Sequence, residues 1–255
     1  MTTNACAAMV ERGDPDRFAA IMAAPPAVRE RLWPIYAFNL EVARAPWLTQ
    51  EPLIAQMRLQ WWRDVLEEIA AGGRVRAHEV AGPLAQVIRE AGLPVALFDA
   101  VIVARHWDIE KVPFADEAAF VAHIEATAGN LLWGAALCVG VAPSLEPAVR
   151  DAGFASGLAN WFLAVPELEA RGRYPLPDGR PQAVAALAQM GLARLRRARA
   201  ARFGAAVPVL RTCWRAGDLL TQAAREPGRV ADGTLGTSEF RKRVTLAVKS
   251  LLGRW

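Results

Sequence analysis

Apolar residues recur at intervals of three and four along almost the whole of this chain, while alternating runs of Val, Ile, Thr and Tyr are nearly absent. A repeat near 3.6 lines such residues up on one side of a helix, whereas a half-buried strand needs a period of two. The spacing therefore predicts an all-α chain. Composition agrees, because Ala, Leu, Arg and Glu dominate and only two tyrosines occur. At 255 residues and 53% hydrophobic, the chain has the means to bury a large core and is excluded from the collagenous, coiled-coil and disordered classes.

Gly, Pro and cap residues divide the pattern. Asp14-Pro15-Asp16 offers an N-cap and a first-turn proline for a short helix to Ala24. Pro25-Pro26 starts a second over 27–44, with a kink expected at Pro34, and Pro52 a third that closes at Gly72-Gly73. Further helices are expected over 80–91, 94–110, 116–140, 146–165, 181–203, 206–225 and 237–252, with irregular pieces at 166–180 and 226–236. No linker, repeat or low-complexity tract separates domains, so 1–255 reads as one domain, with 1–15 flexible.

Several chemistries find no support in the residues. Cys6, Cys138 and Cys213 are far apart with no CxxC pair, and His78, His106 and His123 show no helical i,i+4 spacing, so neither a disulfide framework nor a zinc site is indicated. The start lacks a basic segment before an apolar run, which makes a poor secretory signal and leads us to expect a cytoplasmic protein. The charge-free stretch 126–145 has the length of a membrane span, but its Thr127, Asn130, Pro143 and glycines fit a buried core helix better.

Charge is uneven. Residues 182–255 hold fourteen Lys and Arg against four Asp and Glu. A basic last third suits an acidic partner, and Arg241, Lys242, Arg243, Lys249 and Arg254 could lie peripherally against anionic lipid on the inner face of a membrane. Arg194, Arg196, Arg197, Arg199 and Arg202 instead spread around their helix, as on a solvated surface. No reader motif or interleaved aromatic pattern supports nucleic-acid binding.

Two neighbouring segments, 126–145 and 152–166, are almost free of charge and are expected at the centre of the bundle. Ala152, Gly153, Ser156 and Gly157 form a small-residue face that allows close approach of another helix, beside Trp133, Trp161 and Phe162. Small residues next to large aromatics serve either plain packing or the wall of an apolar cavity.

Three runs carry a resemblance. The apolar helix with a proline break and Tyr36-Ala37-Phe38, the segment Thr127-Ala128-Gly129-Asn130, and Gly172-Arg173-Tyr174-Pro175-Leu176-Pro177 occur in the order seen in the squalene and phytoene synthase family. The resemblance covers residues from about 16 to 255 and implies a single-domain helical bundle of the isoprenoid synthase type with a central crevice. Active members join two prenyl diphosphates head to head, using magnesium held by two aspartate-rich motifs to neutralise the leaving diphosphate. After Phe38 the chain reads on through Glu41, and the paired aspartates fall near Ala43 and Arg44. Before Gly172, the Arg-Asp positions fall at Ala164 and Val165, Pro166 is expected to end the helix, and Glu167 and Glu169 follow one residue out of step. Neither motif is complete, so no catalytic residue and no metal or other cofactor is assigned.

Asp64, Glu67 and Glu68 read as an exposed, ion-paired helix face, and Asp14, Asp16, Asp108, Glu110, Asp116 and Glu117 as helix-end acids. A narrower resemblance follows the departures themselves. Ala37 to Ala43, Glu51-Pro52, Met57 to Asp64, Leu163 to Pro166, Arg173 to Pro177, Phe203 to Val209 and the basic, apolar helix from Phe240 to Trp255 look like the catalytically degenerate branch, which includes the mitochondrial assembly factor of respiratory complex I and its α-proteobacterial relatives. That resemblance implies a non-catalytic protein whose partner is a complex I subunit or assembly intermediate, with an isoprenoid or lipid ligand in the old substrate slot. Crevice and anion-binding candidates are Arg58, Arg63, Asn160, Trp161, Arg173 and Tyr174, and the arginines serve equally as structural ion-pair partners. The alternative is a magnesium-dependent prenyltransferase using displaced Glu41, Glu67, Glu167 and Glu169.

Overall fold

Prolines and short polar caps start most of the helices in this computed structural model, which describes residues 3–255. The order is α1 (Thr3–Gly13), α2 (Pro15–Met22), α3 (Pro26–Arg44), α4 (Pro52–Ala70), α5 (Ala81–Ala91), α6 (Val95–Ala104), α7 (Trp107–Glu110) and α8 (Glu117–Ile124). After a π-helical turn at Glu125–Gly129 come α9 (Asn130–Leu137), α10 (Glu146–Ala170), α11 (Pro181–Ala200), α12 (Val207–Leu210), α13 (Ala216–Arg225), α14 (Gly228–Ala231) and α15 (Glu239–Leu251). No strand occurs among the described residues. Asp14 caps α2 as its sequence suggests, accepting the Arg17 N–H at 3.0 Å, and α3 runs through Pro34.

Tertiary packing overrides the sequence signal in several places. Of residues 1–15, expected to be flexible, 1–2 lie outside the described residues and Thr3–Gly13 form α1, which buries Cys6 and Val10 completely against α3. The span 94–110 breaks at Arg105-His106 into α6 and α7, and 206–225 breaks into α12 and α13 through a 3₁₀ turn. Within 116–140 the Thr127 hydroxyl donates back to the His123 and Ile124 carbonyls at 2.8 and 3.3 Å, inside the widened π-helical turn. The stretch 226–236 contains α14.

The largest correction concerns Pro166, which does not end α10. The helix runs on to Ala170, where the Arg173 N–H donates to the Leu168 carbonyl at 2.9 Å while Gly172 takes φ +73°. This glycine-terminated cap holds the last turn despite the ladder bond that proline cannot make.

Two apolar clusters make the core. One joins α1, α3, α4, α5, α6 and α9 around Phe38, Trp62, Phe98 and Trp133, and the other joins α8, α10, α11 and α13 around Phe120, Phe154, Phe162 and Leu220. The segment 126–145 is core, as expected, and no helix among the described residues is long and apolar enough to cross a membrane.

The clusters meet where α10 lies against the π-helical turn and α9. A Cβ on Gly153 would stand 2.9 Å from the Ala128 carbonyl oxygen and 3.0 Å from Gly129 Cα, and one on Gly157 would stand 2.9 Å from Ile124 Cγ2. The small-residue face thus brings backbone onto backbone. Gly153→Val is expected to cost about 2–3 kcal/mol of unfolding free energy, while Gly82→Ala, with nothing within 4 Å, should be neutral or stabilise by up to about 1 kcal/mol. Denaturant unfolding of both variants checks the contrast.

Candidate functional site

A crevice of about 710 Å³ opens between the start of α2, one face of α3, the α6–α7 corner, the π-helical turn and α10. Helical spacing decides who lines it. α3 presents Asn39, Ala43 and Arg44, followed by Trp47 in the next turn, and α10 presents Gly157, Asn160, Trp161, Ala164, Glu167, Leu168 and Arg171. Glu167 and Arg171 reach the crevice because α10 continues past Pro166.

Three carboxylates line this space, and each faces an arginine. Asp14 Oδ2 lies 3.0 Å from Arg17 Nη1, Asp108 Oδ2 lies 3.5 Å from Arg105 Nη1, and Glu167 Oε1 lies 2.5 Å from Arg171 Nη2. A fourth arginine, Arg44, has no ion pair or hydrogen bond among the described residues. Burial pushes the Asp108 carboxyl up, with Arg105 and then Arg173 pulling it back. Arg173 is itself buried, donates through Nη2 to the Asp108 carbonyl and is pushed down by desolvation. Arg171 and Arg173 both lie within cation–π reach of Trp47, at 4.8 and 5.1 Å.

Oxygen ligands that converge from several side chains are what magnesium requires. Among the described residues no group of three or more His, Cys, Asp and Glu side chains converges on a common point. The acids present are tied to guanidinium groups, and Ala43, Arg44 and Ala164 put no carboxylate where α3 and α10 face each other. This donor set does not fit magnesium.

An aromatic cluster packs behind Trp161, the one of its rings that lines the crevice. Trp107, Phe114, Phe120, His123 and Trp161 pack with ring centroids between 4.7 and 5.9 Å apart. Trp161 Nε1 donates to the Pro175 carbonyl at 2.8 Å and so anchors the Gly172–Pro177 segment. Burial, then the charge of Arg105, holds His123 down at about 3, and its Nε2 has no partner among the described residues.

The structure divides the expected site residues. Asn160 and Trp161 line the crevice together with Ala43, Arg44, Ala164 and Glu167. Arg173 borders an adjoining hollow beside Trp47 and Asp108. Arg58 and Glu41 belong to a different groove against Trp61, Trp62 and His78, where Glu41 sits 3.9 Å from the His78 ring. Arg63 pairs with Asp99 at 2.7 Å, Tyr174 and Glu169 are exposed, and Val165 is buried in the second core cluster. Asp14, Arg17, Trp47, Arg105, Asp108 and Arg171 are site residues that the sequence reading missed or took only as caps and helix ends.

Comparison with known proteins gives this arrangement relatives. Residues 10–237 match the squalene/phytoene synthase family model, and a search of curated proteins found no match. A dehydrosqualene synthase crystallised with a ligand superposes with a TM-score of 0.70 at 14% identity, covering 98% of this chain and 96% of that one. The squalene synthase HpnC from Alicyclobacillus acidocaldarius gives 0.59 at 17% identity, covering 98% and 94%. At these identities the likeness shows the fold.

The caged histidine makes a testable difference. In the unfolded chain His123 takes up a proton near pH 6.5, whereas in the fold it does so only near 3, so stability falls as pH drops between those values. The slope from this residue is about 1.4 kcal/mol per pH unit. Thermal unfolding from pH 7 to pH 4 should show a shallower loss for His123→Phe than for the wild type; parallel curves would contradict the assignment.

Proposed function

The chain belongs to the squalene/phytoene synthase family, and we propose that it is a non-catalytic member whose crevice holds a ligand or partner without turning it over, in the service of complex I (NADH:quinone oxidoreductase) assembly. The observation that carries the first part is the pairing of every crevice carboxylate with an arginine. Ionising a prenyl diphosphate develops negative charge on a leaving group that divalent cations normally neutralise. Asp14 and Asp108, held by Arg17 and Arg105, are poor ligands for such ions, Glu167 is a single exposed carboxylate, and Arg44 in the same space would repel them.

The biological role rests on the resemblance to the degenerate branch over Ala37 to Ala43, Met57 to Asp64 and Leu163 to Pro166. An apolar helix of a complex I subunit or an isoprenoid tail would meet Ile124, Leu131, Trp161 and Leu168 in the crevice, with its polar end toward the arginines. The reading as a head-to-head prenyltransferase through displaced acids has less support. Glu41 lines a different groove, and Glu67 and Glu169 are exposed away from the crevice.

Deleting the gene is expected to lower NADH:quinone oxidoreductase activity of isolated membranes severalfold. Glu167→Gln should restore it as well as the wild type does, because that exposed pair contributes about 0–1 kcal/mol. Purified protein given farnesyl or geranylgeranyl diphosphate with magnesium should release no diphosphate above background. Normal enzyme levels after deletion would overturn the assembly role, and turnover would overturn the non-catalytic reading.

A further inference from the structure

The last helix is mounted the wrong way round. In an ordinary surface helix the apolar stripe packs inward and the charges face water. In α15 the outward stripe is Phe240, Val244, Val248 and Leu251, at 78, 44, 47 and 86% exposure, and no residue of the helix is buried. The side toward the body carries Lys242, Thr245, Lys249 and Ser250 around one half-buried apolar residue, Leu246. Lys242 Nζ stands 3.4 Å from Asp16 and 2.7 Å from Glu239, and Lys249 Nζ donates to the Trp214 carbonyl at 3.0 Å.

This orientation is pinned at the far end too. The Trp255 ring packs on Phe203 at 5.7 Å, and Arg211 Nε donates to the Arg254 carbonyl at 3.2 Å. The exposed stripe is thus a held feature of the fold.

Its charge surroundings select the occupant. Residues 240–255 contain five Lys and Arg and no Asp or Glu. On the helical wheel Arg241 and Arg243 flank the stripe on its two sides, and Leu252 and Arg254 extend it at the C-terminal end. Glu239, the one acid of the helix, is engaged by Lys242. An apolar strip with a cationic rim matches a bilayer interface, where the side chains reach the acyl boundary and the arginines meet phosphate headgroups.

We infer that α15 is a docking face for an anionic lipid surface, laid flat with Phe240, Val244, Val248 and Leu251 inserted and Arg241, Arg243 and Arg254 on the headgroups. The face is separate from the crevice and stands whether or not the crevice reading does.

Co-sedimentation of the full chain with phosphatidylcholine vesicles, with and without phosphatidylglycerol, tests it. Binding should require the anionic lipid and weaken with salt. Phe240→Ser with Leu251→Ser, and separately Arg241→Gln with Arg243→Gln, should each lower partitioning by about tenfold. The thermal midpoint should stay put, because these side chains are exposed. Absence of binding at low salt, or binding that ignores lipid charge and both variant pairs, would overturn the inference. So would a concentration-dependent dimer that the Phe240/Leu251 variant abolishes without any vesicle binding, since the stripe would then serve a second copy.

Discussion

The approach of α10 to the π-helical turn is the constraint on which the rest of the molecule depends. Gly153 and Gly157 leave no room for a side chain against Ala128, Gly129 and Ile124, so two backbones touch where helices normally stand a side chain apart. The contact joins the two apolar clusters and sets one wall of the crevice. It also fixes which residues face inward: Thr127, Ala128 and Leu131 from one side, and Asn160, Ala164, Glu167 and Arg171 from the other. Widening this contact by one methyl group would displace both sets together.

The crevice is lined by three carboxylates and four arginines, and each carboxylate faces one of the arginines. A buried carboxyl such as Asp108 needs a proton, a metal ion or a basic side chain beside it, whereas the largely exposed Glu167 can stay charged in water. Here each carboxylate has a local arginine, at i,i+3 for Asp14–Arg17 and Arg105–Asp108 and at i,i+4 for Glu167–Arg171, and only Arg173, on the Asp108 carbonyl, comes from far along the chain. The proposed non-catalytic reading follows from that pairing. The α15 inference is independent of it and concerns where the molecule sits.

Much of the fold was legible in the sequence because helix periodicity and proline or glycine punctuation are local signals. The starts at Pro15, Pro26, Pro52 and Pro181, and the small face of α10, could be read directly. What failed was settled by distant contacts. α1 is held by burial of Cys6 and Val10, and α10 outlasts Pro166 because its Gly172 cap completes the end. The crevice was less legible for the same reason. Ala43, Arg44, Asn160, Ala164 and Glu167 sit in runs with a family pattern and were found. Arg17, Arg105 and Asp108 become site residues only through packing between remote helices, and Glu41 and Arg58 looked eligible by type while their helix faces turn elsewhere.

Whether this crevice can take up divalent metal is the question that reaches the central proposal most directly. Manganese, substituted for magnesium, can be titrated into the full chain with and without inorganic pyrophosphate while electron paramagnetic resonance counts the free ion. With its acids held by arginine, the protein should leave the manganese signal where protein-free titrations, with and without the same pyrophosphate, put it. Stoichiometric, pyrophosphate-dependent loss of that signal below those controls at micromolar metal, abolished by Glu167→Gln, would contradict the account and place a working metal site in the crevice.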